Sequence, residues 1–110
     1  MRVERKVVRH QTRLEALQVN EAPGRGTYIL DLSAMGMRLE TPIAFPPHDL
    51  VSLKFCLPGE TEEMQVGGKV MWIRPMLTPP PRYLVGLKLF VPQWQLDQLG
   101  RQWRGYQQAD

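Results

Sequence analysis

Short runs of alternating apolar and polar residues, each cut off by proline or glycine, set the strongest limit on what this chain can fold into. "LVSLKFCL" (50–57) puts Val51, Leu53, Phe55 and Leu57 on one side and Ser52, Lys54 and Cys56 on the other. "YLVGLKLF" (83–90) aligns Tyr83, Val85, Leu87 and Leu89, and "MQVGGKVMWIR" (64–74) aligns Met64, Val66, Val70 and Trp72. A repeat of two with one apolar face is the mark of a half-buried strand. "LEALQV" (14–19), "TYILDL" (27–32) and "GMRLE" (36–40) are further β-prone segments. Between them lie "NEAPGRG" (20–26), "PIAFPPHD" (42–49), "PGETEE" (58–63) and "PMLTPPPR" (75–82), all rich in turn residues. Gly67-Gly68 suggests either a bulge or a close approach of another backbone. About six short strands with frequent turns predict an all-β domain, a small antiparallel barrel or sandwich.

After Phe90 the period changes. Pro92 suits the first turn of a helix, and Leu96, Leu99 and Trp103 then form one apolar stripe. Gly100 weakens that segment, so a short C-terminal α-helix is expected over 92–105.

At 110 residues the chain is expected to form one domain with a single modest core. Its 43% apolar and 23% charged residues are those of a globular protein rather than a disordered one. No apolar run approaches the ~20 residues of a membrane helix, and no leader pattern opens the chain. The lone Cys56 cannot build an internal disulfide framework. The expectation is a cytoplasmic protein without membrane insertion. The net charge of +3 is uneven. Arg2, Arg5, Lys6, Arg9 and Arg13 outweigh Glu4 in residues 1–13, which read as a flexible basic arm ahead of a nearly neutral body over 14–91. That arrangement suits a compact anionic partner better than a long nucleic-acid duplex.

Catalytic groups are scarce. His10 and His48 are far apart in sequence, Cys56 falls within a strand pattern, and the acidic "ETEE" (60–63) lies at a turn. No metal-binding, nucleotide-loop or nucleophile motif is present, so neither an enzyme nor a bound metal or cofactor is expected. Trp72 and Tyr83 lie on apolar strand faces and read as core.

Two constellations remain. R-x-x-x-R occurs twice in overlap, as "RKVVR" (5–9) and "RHQTR" (9–13), and "DLSAMG" (31–36) has the form D-x-S-x-x-G. At average residue usage the first arises by chance in roughly a quarter of chains this long, and the second in about one in twenty. Their order carries more than either alone. An arginine-rich R-x-x-x-R before the first strand, then D-x-S-x-x-G about twenty residues on, resembles the PilZ domain. "VGGKVMWI" (66–73) followed by "YLVGLKLF" (83–90) resembles that family's last strand pair, and the segment after Pro92 falls where PilZ domains carry a helix.

The resemblance implies a six-stranded antiparallel β-barrel that binds the bacterial second messenger cyclic dimeric GMP (c-di-GMP) and signals to a protein partner. It implies a ligand site of Asp31, Ser33 and Gly36 with Arg9 and Arg13, Arg5 being a supplementary phosphate contact; the pair Arg5/Arg9 is the alternative register. Val8 stands where many members have another arginine, which bears on the stacked-dimer form of the ligand. The residue types suit that ligand. Guanidinium bridges phosphate oxygens, bonds guanine O6 and N7 or stacks on a base, whereas the donor-rich Watson–Crick edge of guanine needs an acceptor such as Asp31. Asp31 and Ser33 share a strand face, and Gly36 permits a positive φ and the approach of a flat base.

The implied function is a receptor and adaptor for motility, secretion or exopolysaccharide control, as a monomer or weak dimer. The alternative is a PilZ-like interaction module that binds no nucleotide. DNA or RNA binding is not expected, given the neutral body and the lack of an exposed strand carrying aromatic and basic residues.

Overall fold

The computed structural model describes residues 9–77, 79–93 and Leu96. Arg5, most of the basic arm and most of the expected helix over 92–105 lie outside the described residues. Among the described residues eight strands follow in chain order: β1 (His10–Glu15), β2 (Gln18–Val19), β3 (Ala22–Pro23), β4 (Tyr28–Leu32), β5 (Gly36–Thr41), β6 (Leu50–Cys56), β7 (Glu63–Pro75) and β8 (Tyr83–Leu89). They form one antiparallel sheet in the order β1-β4-β5-β8-β7-β6-β2-β3.

The sheet curls because consecutive residues between β1 and β2 bond to strands from its two ends. The Ala16 N–H donates to the Thr27 carbonyl just before β4, and the Leu17 N–H donates to Lys54 on β6, at 2.8 and 2.7 Å. One stretch of chain thus serves both edges. β1 and β2 act as one strand, and with β4 to β8 they make up the six strands expected; β3 is a two-residue addition.

The alternation read in the sequence fills the interior. Ile29, Leu39, Val51, Leu53, Phe55, Val66, Val70, Val85, Leu87 and Leu89 are buried together, with Tyr83 packed against them. Thr27 and Thr41 satisfy each other in the same interior, their hydroxyls 2.8 Å apart.

Two expectations need correction, the start of β1 and the inward placing of Trp72, and one alternative is decided, at Gly67-Gly68. β1 begins at His10 rather than Leu14, because His10 and Gln11 pair with Leu32 and Asp31 of β4. Residues 10–13 are therefore sheet, not arm. The irregularity in β7 falls at Met71, between the pairs Val70–Leu87 and Trp72–Gly86, rather than at Gly67-Gly68. There the close-approach reading holds: a Cβ on Gly68 would stand 2.8 Å from the Lys88 carbonyl oxygen. The extra residue reverses the phase of the strand, as a bulge must. Trp72 consequently leaves the core side and joins the outer face, half-buried.

Candidate functional site

The site lies on the outer face of β4, β5, β8 and β7. A second bulge, at Leu30, separates the pairs Ile29–Leu39 and Asp31–Arg38. Ile29 and Leu32 both face the core, so this extra residue lets Asp31 turn outward without losing the inward set. Across the sheet, Asp31, Arg38, Gly86 and Trp72 are successive neighbours. Two residues along each regular strand, Gly36, Lys88, Lys69 and Leu50 form the adjacent row.

Asp31 is the centre of charge. It is 4% exposed, and among the described residues its carboxylate accepts three hydrogen bonds. Oδ1 takes Arg9 Nη1 at 2.8 Å and the Arg38 backbone N–H at 3.2 Å, while Oδ2 takes Arg38 Nε at 2.6 Å. A carboxylate has about four acceptor positions, so one remains. Both guanidinium groups stay substantially accessible, Arg9 at 57% and Arg38 at 41% of the side chain. The node is a buried acid under two accessible cations.

Beside it opens a groove of about 330 Å³, to which Arg9, Arg38, Gly36, Trp72, Gly86 and Lys88 contribute, with Met35, Met37 and Met71 supplying apolar wall. Gly86 is there because the indole lies on it; a Cβ at that position would collide with the Trp72 ring. The Arg74 guanidinium carbon lies 5.2 Å from the ring centre. Gly36 serves the backbone in a way the sequence reading did not anticipate. Its φ is not among the positive ones; instead a Cβ would fall 2.6 Å from the Leu87 carbonyl oxygen across the β5–β8 pair.

Ser33 is built into the hairpin turn. Its hydroxyl accepts from the backbone N–H of Met35 and Gly36, donates to the Gly36 carbonyl, and is 1% exposed. Such a side chain shapes the loop that carries Asp31 to the groove. Arg13 stands apart, one row along. Its guanidinium lies 4.3 Å from the centre of the Tyr28 ring and 3.5 Å from Glu40. Glu40 is itself held at 2.8 Å by Arg82, which also bonds the Gly26 carbonyl. The structure thus joins Arg9, Asp31 and Gly36 in one place and leaves Arg13 and the Ser33 hydroxyl engaged elsewhere.

The sequence reading missed Arg38, Trp72, Gly86 and Lys88. A signal existed for Arg38, two residues past Gly36 on the same strand face. Trp72 was hidden by the bulge. Its outward position also corrects the expectation that no exposed strand carries aromatic and basic residues together. Among the described residues no group of His, Cys, Asp and Glu is arranged to hold a metal, and no helix is long and apolar enough to cross a membrane.

No characterised protein and no solved structure matches the chain significantly. The family comparison is positive. An antiparallel curled sheet, a D-x-S-x-x-G hairpin and an arginine from R-x-x-x-R on its aspartate are all present in one chain, and the family model described as the PilZ domain matches residues 2–102. The chain belongs to the PilZ domain family.

Proposed function

We propose that this domain is a c-di-GMP receptor that passes the level of the messenger to a protein partner in the cytoplasm. The observation that carries the reading is the buried Asp31 carboxylate, tied to Arg9 and Arg38 at the edge of a groove containing Trp72. The proposed ligand is a dianion with two guanines. Arg9 exchanges its exposed ion pair for a phosphate, which a planar fork of donors meets with two bonds. The fourth acceptor position on Asp31, with the one Arg9 vacates, then faces the N1–H and N2–H donors of guanine. Trp72 offers an apolar face on which a base stacks. Arg5 and Arg13 are proposed to close over the phosphates, Arg13 after leaving Glu40.

Calorimetric titration of the protein with c-di-GMP tests the reading. Saturable binding at or near one binding site's worth of ligand is expected, lost in Asp31→Ala and in Arg9→Ala while the circular dichroism of the sheet persists. Absence of heat and of any shift in Trp fluorescence with the wild-type protein sinks it.

One observation favours the alternative of an interaction module that binds no nucleotide. Asp31, Ser33 and Arg13 already have partners within the protein, so the motif has a structural use without any ligand. The surfaces for such a module are the loops 42–49 and 75–82, where Leu77 is 98% exposed. A pull-down giving the same partners with and without c-di-GMP supports that reading.

A further inference from the structure

The row next to Asp31 holds an arrangement that folding alone does not favour. Lys69 on β7 and Lys88 on β8 are direct cross-strand neighbours on the outer face. Directly opposed like charges destabilise an antiparallel pair. Among the described residues neither lysine has an ion-pair or hydrogen-bond partner, although Lys54 on β6 has Glu63, Arg9 and Arg38 have Asp31, and Arg13 and Arg82 have Glu40. Both flanks of the pair are open. Lys88 has Gly36 opposite it on β5, which carries no side chain, and Lys69 has Leu50, which is 63% exposed. Lys88 also lines the groove that Arg9, Arg38 and Trp72 share.

Spacing ties this pair to the node. Adjacent strands lie about 4.8 Å apart and alternate residues about 6.6 Å apart along a strand, so the two lysine backbones are about 8 to 12 Å from that of Arg38. A compact ligand with two phosphates spans such a distance. We propose that Lys69 and Lys88 form a second anion-holding position of the groove, receiving one phosphodiester of the ligand while the arginines gathered on Asp31, Arg9 and Arg38, receive the other. This rests on the c-di-GMP reading and adds to it the residues that make the site bivalent for phosphate. The repulsion between the lysines is relieved when an anion sits between them, so the same pair that weakens the free sheet strengthens the complex.

The test uses the full chain, c-di-GMP as titrant, and two double variants: Lys69→Gln with Lys88→Gln, and Lys69→Arg with Lys88→Arg. The glutamine variant is expected to bind about tenfold more weakly, the sum of two partly exposed ion pairs, and with a shallower dependence on salt. Its melting temperature without ligand is expected to equal or exceed that of the wild type. The arginine variant is expected to keep wild-type affinity and salt dependence. Wild-type binding that the glutamine variant reproduces, with the same salt dependence, overturns the proposal and leaves the c-di-GMP reading standing. A glutamine variant that melts well below the wild type also overturns it, since the lysines are then structural. Failure of the wild type to bind overturns both.

Discussion

Asp31 has a structural role that can be separated from the recognition role proposed for it. Its carboxylate offsets part of the charge of two arginines that would otherwise repel each other on one patch of sheet, and it does so while nearly inaccessible itself. Removing the charge and removing the side chain should therefore differ. Asp31→Asn keeps an acceptor for the Arg38 N–H, so the sheet should persist with a loss of about 1 kcal/mol, whereas c-di-GMP affinity should fall at least tenfold as the acidic acceptor for guanine disappears. Urea denaturation and calorimetry on the same preparation separate the two effects. Arg13 gives the opposite prediction. Its contact with Glu40 at 3.5 Å competes with any phosphate contact, while Tyr28 keeps its guanidinium nearby. Glu40→Gln retains an acceptor for Arg82 but releases Arg13, and c-di-GMP binding should tighten about two- to fivefold. An unchanged or weaker affinity in that variant removes Arg13 from the ligand site.

At the level of elements, the β4–β5 hairpin depends on Ser33 and Gly36 for different reasons. Ser33→Ala strips the acceptor from two turn N–H groups and should cost about 1–2 kcal/mol. Gly36→Ala drives a Cβ against the Leu87 carbonyl, backbone against backbone, and should cost about 1–3 kcal/mol or separate β5 from β8. Denaturant midpoints, with unchanged slopes, measure both. The same hairpin shows what could be read from sequence. Segments whose alternation runs unbroken, β6 and β8 above all, were placed correctly with the right side inward. Two elements were misread, one where a rule of period two meets an extra residue and one where there is no apolar alternation to read. Nothing in "VMWI" marks Met71 as a bulge, so Trp72 read as core although it faces outward beside Gly86. At β1, "HQTR" has no apolar alternation to announce a strand; its place is fixed by backbone bonding to β4, which sequence pattern does not record. The D-x-S-x-x-G motif marked the hairpin correctly, but the division of labour within it, an acid for the groove and a hydroxyl for the turn, required the geometry.

Over the whole molecule, the body's near-neutral sum conceals a polarised surface. Arg9, Arg38, Lys69, Arg74 and Lys88 share one outer face with Asp31, whereas Glu60 and Glu62 lie in the β6–β7 turn and Glu63 opens β7 at the end away from Arg74. A face of that kind raises the local concentration of anions and weakens with salt. Occupancy should also hold the curled sheet together. Asp31 lies on β4, Arg38 on β5, Lys88 on β8 and Trp72 on β7, with Arg9 leading into β1, so a ligand touching these side chains bridges most of the sheet. The unfolded chain has no such arrangement, and binding to the folded form alone stabilises it by mass action. At a free concentration about a hundredfold above the dissociation constant the gain is about 2.7 kcal/mol, which for a domain of this size raises the melting temperature by about ten degrees. Scanning fluorimetry should show that rise in low salt with c-di-GMP. It should shrink at 0.5 M salt, where exposed ion pairs to phosphate are screened over a few ångströms. Asp31→Asn, with its affinity down at least tenfold, should show no more than about half that rise at the same ligand concentration. A full wild-type rise in Asp31→Asn would mean that the ligand binds away from the Asp31 node.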